Sequence, residues 1–151
     1  MVNNFKLTYE LIPLTSWFAN IRTAMPRKKW DILRRQVYTD YGYRCGICTN
    51  QGRLSCHEIW SYDDINHIQK LIGFIALCDN CHSVKHMGFS NIRAKQGQLD
   101  MSIIEAHFMG VNNCSKEDFE KYNEIAFQQW EERSKYSWNV DLGKYKEMLE
   151  V

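Results

Sequence analysis

The stretch LCDNCHSVKH, Leu77 to His86, gathers two cysteines and two histidines in a chain that has six cysteines and five histidines in all. Cys78 and Cys81 form a C-x-x-C pair, and RCGIC carries a second, Cys45 and Cys48. Thiolates are soft ligands, and four of them close a tetrahedron around zinc with no position left for a substrate. The repeated spacing predicts a structural Zn2+ held by Cys45, Cys48, Cys78 and Cys81, against a redox dithiol or unmetallated core cysteines. Cys56 and Cys114 are left over, and Cys114 reads as a small buried apolar side chain.

His82 and His86 stand four apart on a short expected helix, so they share a face and are able to chelate one ion together. His57, in CHEIW on the preceding hairpin, is the natural third ligand. Three neutral imidazoles leave a coordination position open for water or a phosphate oxygen, which hydrolysis requires. The expectation is a second divalent ion at this site, Zn2+, Ni2+, Mn2+ or Mg2+, with imidazole chemistry favouring the transition metals. His67 and His107 lie outside the pattern and read as hydrogen-bonded or surface residues.

A first C-x-x-C, a histidine-bearing strand and then LC-x-x-CH opening a helix resemble the HNH (ββα-metal) endonucleases of the subgroup with a four-cysteine zinc. The motif covers about residues 44 to 88. More loosely, LTYELIP, WFANIR, HEIW and the helical tail are similar to small phage and bacterial proteins of that kind. The resemblance implies a hairpin and helix gripping one ion at the scissile phosphate of double-stranded DNA, entered by its minor groove. It makes His57 a ligand, Glu58 the general base, His82 the family's final His or Asn, and His86 a further histidine ligand. His57, Glu58 and His82 are then the catalytic set.

A register shifted by one would make Cys56 the ligand and His57 the base, but cysteine matches a hard ion poorly. Glu58 is the departure from the family pattern, because a glutamate is weakly basic unless its surroundings raise its pKa. Neighbours on a regular strand also point to opposite faces, so His57 and Glu58 flank one phosphate only if the hairpin is twisted or bulged there. The rival expectation is an HNH-type scaffold without cleavage that binds DNA or a protein partner, for example a phage protein acting against host defence.

The elements that must position these residues follow from periodicity. FKLTYEL alternates apolar and polar residues as a strand does, and Pro13 ends it. From Pro26 to Tyr41, Trp30, Leu33, Val37, Tyr38 and Tyr41 mark one face of a helix. Residues 42 to 62 read as the cysteine turn and a short hairpin through NQGR into LSCHEIW. Asp63 suits a turn, and Asp64 suits the cap of a helix through INHIQKLIG, followed by FIAL as a short buried strand delivering Cys78. Asp79 and Gly88 bound the helix with His82 and His86. MSIIEAHFMG, capped by Asp100 and stopped at Gly110, SKEDFEKYNEIAFQQWEERS with Ser115 and Asp118 at capping-box spacing, and KYKEML complete a helical tail. Trp17, Trp30, Trp60, Trp130 and Trp138 read as core or half-buried.

The fold expected is α+β: a central ββα-metal unit stapled by the four-cysteine zinc and surrounded by N- and C-terminal helices, in one domain over residues 1–151. The composition, 44% hydrophobic, 13% aromatic and 25% charged with two prolines, fits a folded chain and excludes a low-complexity one. There is no targeting pattern and no run of about 18 apolar residues, so the expectation is a cytoplasmic protein of a bacterium or phage-infected cell with no membrane contact.

The net charge of +1 excludes a protein that coats nucleic acid by bulk charge. Its distribution is uneven: seven Lys+Arg against three Asp+Glu in residues 1–43, but six against ten in residues 101–151. Arg27, Lys28, Arg34 and Arg35 in PRKKWDILRR are candidate phosphate contacts, their alternative being a solvated helix face with an Asp31–Arg35 pair. Arg44 and Arg53, beside the hairpin, are further candidates.

Overall fold

Trp30 and Val37, two helical turns apart, are both buried on the inner side of a helix running Arg27–Asp40 (α2), and its apolar stripe turns toward a hairpin. The computed structural model describes residues 4–16 and 21–149. Trp17 lies outside them. A short helix, Ile21–Ala24 (α1), precedes α2 and buries Ile21.

The hairpin is Leu54–Asp63 (β1) and Ile68–Cys78 (β2), antiparallel from Leu54 opposite Cys78 to Asp63 opposite Ile68. Asp63 closes its turn: one carboxylate oxygen accepts the backbone N–H groups of Ile65 and Asn66, each at 3.0 Å. Helix Asp79–Lys85 (α3) follows β2 directly, and Met87–Lys95 (α4), Met101–Asn112 (α5) and Lys116–Arg133 (α6) come next. Asn139–Asp141 (β3) then adds in parallel to the start of β2, giving a sheet ordered β1-β2-β3. A 3-10 helix over Gly143–Leu149 ends the described chain.

Both hairpin faces are apolar. Leu77 belongs to a core with Leu7, Val84, Met87, Ile104, Phe108 and Phe119, while the alternate residues Phe74 and Ala76 face a second core with Ile21, Met25, Trp30, Val37, Trp60 and Leu71. Fully burying one such side chain stabilises the fold by about 1.5–3 kcal/mol. The two cores therefore clamp the hairpin from both sides, which holds the strand carrying His57 and Glu58.

The α+β class, α2, and the caps of α5 and α6 agree with the sequence reading. Asp100 accepts from Ser102 N–H, and Ser115 and Asp118 cap each other reciprocally. Trp30, Trp60 and Trp138 are buried and Trp130 is half-buried.

Several elements differ. FKLTYEL is not a strand. Its alternation is real, with Leu7 fully buried, but its backbone partners are side chains: Asn112 bonds both the N–H and C=O of Leu7, and the Tyr122 hydroxyl accepts from Tyr9 N–H. INHIQKLIG is not a helix capped by Asp64. It is the turn and first half of β2, where Gln69 and Leu71 are buried and Lys70 and Ile72 exposed; Asp64 pairs with Arg133 at 2.7 Å and 3.0 Å instead. The main hairpin therefore turns at residues 64–67, and NQGR closes only a small loop with an Arg44–Gln51 bridge. Gly88 does not stop α3 but lies inside α4. Gly110 likewise lies inside α5, which ends at Asn113 in the left-handed conformation that asparagine tolerates (φ 49°). Among the described residues no helix is long and apolar enough to cross a membrane.

Candidate metal centres

The first C-x-x-C pair sits in a tight turn. Cys45 N–H donates to Asn50 C=O, Thr49 N–H returns to Cys45 C=O, and Gly46 N–H donates to Ala76 C=O on β2 at 2.7 Å. Only glycine fits that approach, because a Cβ there would come within 2.7 Å of Ile75 and of Tyr41. The second pair straddles the strand-to-helix junction: Cys78 ends β2, and its sulfur accepts from Cys81 N–H at 3.4 Å, capping α3.

The sulfurs of Cys45, Cys48, Cys78 and Cys81 all lie within 4.8 Å of one another, with Cys48 and Cys78 3.6 Å apart. All four are free thiols, as are Cys56 and Cys114. The hydrogen bond from Cys81, assisted by backbone donors, pulls the Cys45 thiol down to about 4. Burial pushes Cys78 up to about 11, and Cys81 is pushed up, foremost by the bond it gives Cys45. Sulfurs this crowded ionise together only around a cation, so the four could hold a metal ion. His107, expected to be an ordinary side chain, places Nε2 3.1 Å from Cys81 Sγ. Cys114 is half-buried within the first core.

Just after Cys81, α3 presents His82 toward His57 on β1, and His86, the residue that ends α3, faces it one turn later. Ring centroids are 5.4 Å apart for His57–His82, 4.8 Å for His57–His86 and 4.6 Å for His82–His86. One ligand nitrogen from each lies within 4.8 Å of the others. Burial pulls His82 down to about 3 and His86 down to about 4, with the neighbouring imidazoles adding to it. Both rings are neutral at pH 7, the form that ligates metal.

His57 supplies an independent sign of a ligand site. Its side chain is 2% exposed, its Nε2 faces Glu10 Oε2 at 3.4 Å, and its Nδ1 is buried with no hydrogen-bond partner. An orphaned buried polar atom costs about 1–3 kcal/mol, and a cation removes that cost. The residues fit the ion that the sequence predicts.

The histidine cluster opens on one side into a cavity of about 600 Å3. Glu58, Cys56 and Leu54, alternate residues of β1, line it together with His82 and His86. Glu58 is 7% exposed, and its Oε1 accepts from Ile21 N–H at 2.8 Å at the start of α1. The hairpin is not bulged at His57 and Glu58, which pair in regular register with Ile75 and Phe74; the register slips only beyond them, between Ile59 and Trp60, so that Ile59 faces Gly73 and Trp60 faces Leu71. Ile72 is the extra residue, between the Ile59–Gly73 and Trp60–Leu71 pairs.

Arg22, Arg27, Arg34 and Arg53 line the cavity as well. Three of these were candidates in the sequence; Arg22 was not, since nothing local distinguishes it from any exposed arginine. Lys28, Arg35 and Arg44 are exposed but do not line the cavity. Arg34 is held by Asp31 at 2.8 Å, so the pair is Asp31–Arg34 and not Asp31–Arg35. That bond raises the Arg34 pKa and lowers that of Asp31. Comparison with protein-family models, with curated proteins and with solved structures finds no match for the chain.

Proposed function

We propose that the chain is a metal-dependent endonuclease or nickase of the HNH (ββα-metal) type that hydrolyses phosphodiester bonds in double-stranded DNA. The observation that carries this reading is the three-histidine cluster, built on a hairpin and the helix that follows it, opening into a cavity walled by arginines. In the same reading Cys45, Cys48, Cys78 and Cys81 hold a structural zinc, because four thiolates suit zinc and leave no open position.

His57, His82 and His86 would hold the catalytic ion. A divalent ion there supplies, when bound, a positive charge for the phosphoryl and departing oxygens. The chain's own groups do the rest. Arg22, Arg27 and Arg53 bind flanking phosphates and set the register of the backbone. Glu58, on the cavity wall, accepts the proton of the water that attacks phosphorus, while the bond to the 3′ oxygen breaks and that oxygen takes a proton from solvent. Supercoiled plasmid incubated with protein and Mn2+, Ni2+, Mg2+ or Zn2+ tests this. Nicking that His82→Ala abolishes supports it; no cutting with any ion contradicts it.

One observation favours a second reading. The Glu58 carboxylate anchors α1 through Ile21 N–H, a structural task that a scaffold without cleavage would also need. Such a protein would bind DNA, or a protein partner, through the same arginine wall. Binding without nicking in the plasmid assay is its outcome.

A further inference from the structure

Glu10 reads in the sequence as the polar phase of an alternating segment, yet it lies half-buried between the two elements that carry the histidines. Its side chain is 10% exposed. Oε1 accepts from Trp60 N–H at 2.7 Å, where the hairpin register slips, and Oε2 lies 3.4 Å from His57 Nε2. Its own N–H donates to Lys85 C=O at 2.9 Å, the residue before His86. Lys85 Nζ donates to Thr8 Oγ1 at 3.1 Å, and Tyr9 N–H to the Tyr122 hydroxyl at 2.8 Å, so the segment has little freedom.

We propose that Glu10 is the positioning residue of the histidine site: it takes the Nε2–H of His57 and so presents Nδ1 to the ion. The inference rests on the reading that the three histidines hold a metal. Imidazole has two nitrogens, and the hydrogen bond made by one decides which is left to ligate. Here Nε2 is turned to a carboxylate, and Nδ1 is the buried atom without a partner. Because the same carboxylate holds the strand at Trp60 and the same residue's N–H holds α3, Glu10 fixes the distance between His57 and His86 as well as the tautomer. It touches neither phosphate nor water in this role.

Glu10→Gln keeps the size and leaves one acceptor for two donors. In the full-length protein with its cysteine site loaded, Co2+ and Zn2+ titrations of the histidine site should show affinity weakened about 10- to 100-fold, the usual effect of losing such a partner. The cysteine-bound ion and the melting temperature should change little. In 15N-labelled wild-type protein loaded with Zn2+, long-range proton–nitrogen spectra should show His57 coordinated through Nδ1 and protonated at Nε2. Equal affinity in wild type and variant, or coordination through Nε2, overturns the proposal. If the variant does not fold, the wild-type spectrum alone decides. Wild type that takes no ion at the histidines overturns the metal reading and this inference with it, whereas two ions with an indifferent Glu10→Gln overturns this inference alone.

Discussion

Cys81 and His82 are consecutive residues of α3 whose side chains enter different clusters, one of four sulfurs and one of three imidazoles. The first turn of α3 is tied to the sulfur cluster through Cys78, which caps it, and the histidines project from that turn and the next. A short helix has little stability alone. Closing the sulfur cluster on a metal therefore also fixes the direction of His82 and His86, and the staple becomes a condition of the open site.

The approach of Gly46 to β2 sets the first prediction. Gly46→Ala places a Cβ within 2.7 Å of Ile75 and Tyr41, and Gly46 N–H is bonded to Ala76, so the turn must move away from the strand. We expect a loss of about 1–3 kcal/mol by chemical denaturation, as for other overpacked sites. An unchanged midpoint would mean the turn is looser than its packing indicates.

Acidification gives the second. The folded values of His82 and His86, about 3 and about 4, lie below the ordinary 6.5, so between pH 6.5 and about 4 the unfolded chain binds protons that the folded chain does not. Stability is therefore complete above 6.5 and falls as the pH is lowered through that window. Protons compete with metal for the same nitrogens, which acts in the same direction. Melting temperatures from pH 7.5 to 4.5 should fall more steeply for wild type than for a His82→Ala, His86→Ala double variant; parallel curves would contradict this.

The arginine wall gives the third. Replacing Arg22, Arg27 or Arg53 with alanine should weaken DNA binding and flatten its salt dependence by about 0.9 in the log–log slope for each phosphate that is no longer neutralised. Arg35→Ala and Arg44→Ala, exposed but off the cavity, should leave both unchanged. Fluorescence anisotropy over a range of salt concentrations measures it, and equal effects at all five positions would show that DNA does not bind along the wall.

What the sequence made legible was the part fixed by short spacing. Two C-x-x-C pairs, and histidines four apart, can be read without knowing the fold, because one turn or one helical turn brings each pair together. The capping box at Ser115 and Asp118 was legible for the same reason. The segment around Glu10 was not, since its partners Asn112 and Tyr122 are supplied by distant helices and its alternation imitates a strand. INHIQKLIG misled in the other direction: Ile65, Ile68 and Ile72 recur at helical spacing, while tertiary pairing with β1 makes a bulged strand of it. Helix α4 was missed because Gly88 resembles a helix stop. His107, set apart from the motif, reaches Cys81 only through the packing of α5 on α3.

Under the proposed function one chain holds two metal ions in separable sites, one closed and one open. Native mass spectrometry of purified wild type, Cys78→Ser and His82→Ala, each reloaded with Zn2+, tests it most directly. The account predicts two ions for wild type and one for His82→Ala with its melting temperature largely kept. Cys78→Ser should lose the cysteine-bound ion and much of the fold, because metal binding at such a site is folding energy. A wild-type chain that carries no more than one ion, or a Cys78→Ser variant that melts as wild type does, would contradict it.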